Sequence, residues 1–177
     1  MKILVVIDAQ NDFITGSLGS EEAQKVVPRI VDKINEHDGL IMATLDTHDE
    51  YYPNTLEGQN LPIIHCQKYS DGWMIEESIE KAIKEKGIEN VNIIFKTAFG
   101  TPVFARLPEF CSLNELESIE LIGYVLDICV ISNALLLKTY FPNTPISVDA
   151  SCTAATSPEA FEAAKIILKS CQIEVKE

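Results

Sequence analysis

A chain of 177 residues with 46% hydrophobic side chains fits one domain, residues 1–177, with a sizeable buried core. Its formal charge of −13 argues against nucleic-acid partners, which need phosphates neutralised, and no run nears the ~20 apolar residues of a membrane span. Five widely spaced cysteines without a C-x-x-C pair, behind an apolar start too short for a secretory signal, point to reduced thiols in a cytoplasmic setting.

In chain order, residues 3–7 form the first apolar run, ending at Asp8 and followed by Gln10, Asn11, Asp12 and Phe13. Ser20 predicts an N-cap for a helix reaching about residue 36, with Glu21 and Glu22 in its positively polarised first turn. Residues 40–45 are the second run and deliver Asp46, Thr47 and His48. The stretch from Thr47 to Trp73 reads as one long loop, rich in aromatics, and loops of that length in compact domains are usually functional or disordered. A helix over about residues 75–86 stops at Gly87, a good C′ residue. Residues 91–95 are the third run, ending at Lys96, and residues 119–122 the fourth. Behind the fourth, a helix over residues 128–139 carries Cys129 in its first turn. Residues 145–148 form a short fifth run, Ser157-Pro158-Glu159 starts a helix ending near Ser170, and residues 173–175 are a sixth run. Short apolar runs without strict alternation, separated by helices, predict an α/β chain: three layers, α/β/α, around a six-stranded, mostly parallel sheet.

Open sheets of this kind bind ligands beyond the carboxyl ends of their strands. That edge receives Asp8, Asp46, His48, Lys96 and Cys129. A cysteine at a helix start gains thiolate character from the unpaired N–H groups there, although a cysteine between Ile128 and Val130 also suits a core. Asp8 reads either as a reactive carboxylate or as the partner of a backbone turn, and Lys96 as an active ammonium or a snorkelling surface lysine. Asp46, His48, Glu57 and His65 offer two carboxylates and two imidazoles, a donor set for zinc, manganese or iron; the alternative is loop packing around solvated rings. Neither a dinucleotide fingerprint nor a Walker A sequence is present.

Four segments carry a resemblance: Val6-Ile7-Asp8-Ala9-Gln10-Asn11-Asp12-Phe13, Asp46-Thr47-His48, Phe95-Lys96-Thr97-Ala98-Phe99 and Gly123-Tyr124-Val125-Leu126-Asp127-Ile128-Cys129-Val130. In order and spacing the chain resembles the isochorismatase-like cysteine hydrolases, in particular their nicotinamidase-related branch. The resemblance implies that fold and a cysteine-dependent cleavage of a small-molecule amide to acid and ammonia through a thioester. Asp8, Lys96 and Cys129 would then be the catalytic triad, and the N–H groups of Val125 and Cys129 the oxyanion hole behind a cis peptide at Tyr124–Val125. Asp46, His48, Glu57 and His65 would be the ligands of a divalent metal ion. Phe13, Leu61 and Tyr124 would contact substrate; Leu61 stands near a position where many nicotinamidases have tryptophan, and the loop lacks their second histidine. Family precedent also allows a homo-oligomer. Two rivals stay open: a metal-independent hydrolase of a carbamoyl or ureido substrate, and a non-catalytic ligand-binding or thiol redox-sensing module.

Overall fold

The computed structural model describes residues 1–109 and 116–177; Cys111 lies outside them. Six strands, β1 (Lys2–Ile7), β2 (Leu40–Asp46), β3 (Val91–Lys96), β4 (Ser118–Gly123), β5 (Ile146–Thr153) and β6 (Glu174–Lys176), form one sheet in the order β3-β2-β1-β4-β5-β6. Every neighbouring pair is parallel, so the expected mostly parallel sheet is wholly so.

The apolar runs lack alternation because both faces of the sheet are covered. Ile3, Val5 and Ile7 of β1 enter one core with Leu121, Ala134, Leu137 and Leu168, whereas Leu4 and Val6 enter the other with Ile30, Ile34, Ile79 and Ile83. Helices α2 (Glu21–Glu36) and α4 (Glu77–Glu85) supply the second core; α5 (Ile131–Tyr140), α6 (Pro158–Ser170) and a 3-10 segment, Pro102–Glu109, supply the first. Each fully buried aliphatic side chain contributes about 1.5–3 kcal/mol relative to exposure, which is what pins the layers together. Both predicted serine caps form: Ser20 accepts from the N–H of Ala23 and Ser157 from that of Ala160. Among the described residues, no helix is long and apolar enough to cross a membrane.

Several elements differ from the sequence expectation. The helix expected from residue 75 begins at Glu77, because Glu76 turns its carboxylate onto the N–H groups of Ser78 and Ile79 and so caps it. The expected short fifth strand extends to Thr153. Its polar half is held by Asp149, which binds the Lys33 ammonium at 2.6 Å and the Ser151 hydroxyl at 2.6 Å. The helix expected over residues 128–139 splits into a π-helical turn, Leu126–Val130, and α5. A short helix, α1 (Asn11–Ile14), follows β1, and the long loop contains a 3-10 turn, Tyr52–Asn54, and the short α3 (Leu56–Asn60).

Candidate active site

The strand order reverses between β1 and β4: from β1 the chain winds outward through β2 and β3, then returns to β4 and winds the other way. Their carboxyl ends part there and open a crevice. Ile7 and Gly123 face each other in register at its lip. A Cβ at position 123 would overlap the Ile7 carbonyl, and φ there is +109°, so only glycine allows this approach. Asp8 takes the next position with φ +46°, a left-handed conformation aspartate tolerates better than most residues.

That conformation aims the Asp8 carboxylate into the protein, where it is wholly buried. Its Oδ1 accepts from the Thr44 hydroxyl at 2.7 Å, and its Oδ2 lies 2.7 Å from Lys96 Nζ. Beyond that ion pair, Oδ2 makes no hydrogen bond of ordinary geometry among the described residues. Lys96 ends β3 directly beside Asp46 of β2 in the sheet register. Its ammonium also contacts Asp46 Oδ1 at 3.1 Å and the Cys129 sulfur at 3.6 Å. Three residues scattered along the chain thus meet around one nitrogen, and Lys96 is a buried ion-pair partner rather than a snorkelling surface group.

The electrostatics of the trio oppose the expectation of a thiol acidified by its helix start. Burial first, and then the negative charge of Asp8, push the Cys129 thiol well above its ordinary value, with Lys96 pulling the other way. Burial likewise raises the Asp8 carboxyl; Lys96 opposes this and Asp46 adds to it. Burial disfavours charge on Lys96 too, but Asp8, Cys129 and Asp46 together hold its ammonium firmly protonated. Burial and neighbouring charge thus raise the proton affinity of the thiol, the carboxyl and the ammonium alike.

The peptide bond between Tyr124 and Val125 is cis. In the turn that follows, the N–H of Leu126 donates to the Ala154 carbonyl, and those of Ile128 and Val130 donate to the Val125 carbonyl. These bonds do not use the N–H groups of Val125 and Cys129. The side chain of Tyr124, expected to contact substrate, is wholly buried in the core beside α2, and its hydroxyl donates to the Ala23 carbonyl at 2.8 Å.

The second constellation lies against the first, with Asp46 belonging to both. One ligand atom from each of Asp46, His48, Glu57 and His65 can be chosen so that all lie within 4.8 Å of one another. Asp46 Oδ2 is 3.0 Å from His48 Nε2 and 3.5 Å from His65 Nε2. Glu57 Oε1 approaches the same nitrogens at 3.7 and 4.0 Å. The loop builds this nest by pairing back onto the end of β2: the His48 N–H donates to the Cys66 carbonyl, and the Lys68 N–H to the His48 carbonyl. Thr55 caps α3 and so sets Glu57 in its first turn. His65 Nδ1 sits 2.9 Å from the Ile63 carbonyl, which holds a proton on Nδ1 and turns Nε2 toward the nest. Two imidazoles and two carboxylates converging on one point fit a borderline divalent cation. Burial alone would raise the Asp46 carboxyl, but hydrogen bonds from both histidines and the Lys96 charge hold it well below the usual range.

Phe13 sits next to this nest, its ring edge-on to His65 with centroids 5.7 Å apart. Leu61 is half-buried and takes part through its main chain, its carbonyl accepting from the Tyr52 hydroxyl at 3.0 Å. A cavity of about 480 Å³ opens beside the nest, lined by Thr47, His48, Tyr51, Tyr52, Glu57 and Thr97 among others. The sequence reading missed several supports. Gln10, wholly buried, both accepts from the Asp46 N–H and donates to the Asp46 carbonyl, and it also donates to the Trp73 carbonyl. Asp12 accepts from the N–H of Cys66 and thereby ties down the neighbour of His65. Tyr52 packs against both imidazole rings. The available signal was polarity out of place, such as Thr44 inside the second apolar run.

A model of the isochorismatase domain matches residues 2–175. The chain belongs to the isochorismatase family. No curated protein matched the sequence. Among solved structures, the nicotinamidase/pyrazinamidase PncA of Bacillus subtilis superposes with a TM-score of 0.84 at 24% identity over 99% of both chains. The pyrazinamidase of Pyrococcus horikoshii, in complex with zinc, gives 0.79 at 24% identity, covering 99% of this chain and 98% of that one. N-carbamoylsarcosine amidase of Thermoplasma acidophilum gives 0.76 at 23%, covering 99% and 95%. The isochorismatase family and the expected α/β fold are thereby borne out.

Proposed function

We propose that this isochorismatase-family chain is a cysteine-dependent amidohydrolase that converts a small amide to its acid and ammonia. The observation that carries the reading is the convergence on Lys96 Nζ of Asp8 Oδ2 at 2.7 Å and Cys129 Sγ at 3.6 Å. In the first half-reaction Asp8 takes the thiol proton, and sulfur attacks the amide carbonyl to form a C–S bond. Negative charge collects on the carbonyl oxygen, facing the N–H groups of Val125 and Cys129; one such donor is worth about 3 kcal/mol in the transition state. Asp8 returns the proton to the amide nitrogen as the C–N bond breaks and ammonia leaves. In the second half, Asp8 deprotonates water, which attacks the thioester; the C–S bond breaks and sulfur recovers its proton from Asp8. Burial makes Asp8 a stronger base than a free aspartate and Cys129 a weaker acid than a free thiol, with the Lys96 charge opposing both shifts.

Asp46, His48, Glu57 and His65 would hold the divalent ion, which supplies Lewis acidity toward a substrate ring nitrogen or a nearby water. Phe13 beside His65 offers an aromatic edge to a planar ring. This four-ligand nest favours an aromatic amide of the nicotinamide kind over a metal-independent carbamoyl substrate. The test is ammonia release from a panel of small amides that includes nicotinamide, pyrazinamide and a carbamoyl amino acid. Cys129→Ala is expected to keep the fold and lose activity by roughly 10⁴-fold or more. Full activity in that variant would end the scheme.

A further inference from the structure

Asn133 is a wholly buried amide near the start of α5, one helical turn beyond Cys129. Its Nδ2 donates to the carbonyl of Cys129 at 2.8 Å and to that of Phe99 at 3.1 Å, and its Oδ1 accepts from the N–H of Thr101 at 2.9 Å. Two carbonyls and one N–H leave only one way round for the amide, so its orientation is fixed by its partners. Phe99 and Thr101 belong to the segment that leaves β3 directly after Lys96, where residues 97–100 form no helix or strand. That segment lies close on α5: a Cβ on Gly100 would meet Leu136 Cδ1 at 2.6 Å and Ser132 Cβ at 3.6 Å.

We propose that Asn133 is a positioning residue that clamps the Lys96 segment to the Cys129 turn and thereby sets the ammonium–sulfur separation of 3.6 Å. The inference rests on the reading of Cys129 as nucleophile. Lys96 is held by its own strand and by Asp8 and Asp46, and Cys129 by the turn that follows β4. Those two supports hang from different strands, β3 and β4, which are separated in the sheet by β2 and β1. Asn133 adds a side chain that bonds to the backbone of both pieces. A buried amide with this many partners also contributes to stability, so the test must read the reactivity of the sulfur as well as the fold.

The measurement is the pH dependence of iodoacetamide alkylation at Cys129, followed by peptide mass, alongside circular dichroism, zinc content and kcat and KM for an amide the wild type turns over. Three variants are compared. Asn133→Ala removes the clamp. Asn133→Asp keeps the acceptor for Thr101 but sets lone pairs against both carbonyls. Asn133→Ser restores a donor able to reach back to the Cys129 carbonyl. The charged groups around the sulfur, Asp8, Lys96 and Asp46, are intact in all three, and only Asn133→Asp adds a carboxylate of its own, so Asn133→Ala is the decisive variant. Folded Asn133→Ala and Asn133→Asp are expected to alkylate about tenfold more slowly at neutral pH, because a misplacement of order 1 Å at a reacting group costs up to about 100-fold. Their alkylation profiles should move to higher pH, kcat should fall more than KM changes, zinc content should stay at the wild-type value, and Asn133→Ser should recover part of the rate. Wild-type alkylation and kcat in folded Asn133→Ala, or loss of the fold in all three variants, overturns the proposal. An active Cys129→Ala protein would instead overturn the cysteine mechanism itself.

Discussion

At the scale of single residues, the site is an exercise in shared charge. One ammonium, Lys96, lies against two carboxylates and a thiol, and burial raises the proton affinity of both Asp8 and Cys129. The sign of the Asp8 shift has two consequences. For stability, a carboxyl whose folded value lies above its unfolded one favours the fold below the unfolded value and loses that contribution as pH rises through the folded one. For catalysis, Asp8 must be ionised to act as base. The acid limb of kcat/KM is therefore expected above the ordinary aspartate range near about 4, and a pH–rate profile with its limb at or below that value would contradict the role given to Asp8. Of these residues, Asp8, Lys96 and Cys129 were legible in the sequence, because each closes an apolar run or opens the helix after one. Asn133 and Gln10 were not, since a buried amide acts through partners that only folding brings near.

At the scale of elements, the long segment after β2 builds the candidate metal nest. It forms α3 and then pairs back onto the end of β2, so that His65 comes beside His48. The four candidate ligands thus come from a strand end, a short helix and a returning loop, and a bound ion would tie all three together. Zinc added to metal-free protein is expected to raise the melting temperature, with about 2.7 kcal/mol of stabilisation at a hundredfold excess over Kd. His65→Ala should abolish most of that increment; an equal increment in the variant would rule out the nest as the zinc site. The loop's ligands were readable as residue types, but α3 was not: a five-residue helix carries too little periodicity to show, and its cap, Thr55, does the ordering. The π-helical turn escaped for a similar reason, because a slip of the hydrogen-bond ladder leaves the apolar pattern of residues 128–139 unchanged.

At the scale of the molecule, the parallel sheet accounts for where chemistry is possible. Two apolar cores bury both faces and leave the carboxyl edge as the place where buried polar groups gather. The reversal of strand order between β1 and β4 sets Asp8 and Cys129 on either side of one crevice. Alternating runs and helices made this architecture legible in advance. The full length of β5 was hidden, because its polar half is stabilised by Lys33 from a distant helix rather than by apolar burial. In the proposed reaction the sulfur of Cys129 bonds covalently to the acyl group during turnover. Acid quenching during steady turnover of an accepted amide, followed by peptide mapping, reads that bond. An acyl mass is expected on the peptide containing Cys129, at a level that falls when turnover stops. Sustained turnover with that peptide never modified, and with Asp8→Asn as active as the wild type, would rule the thioester out.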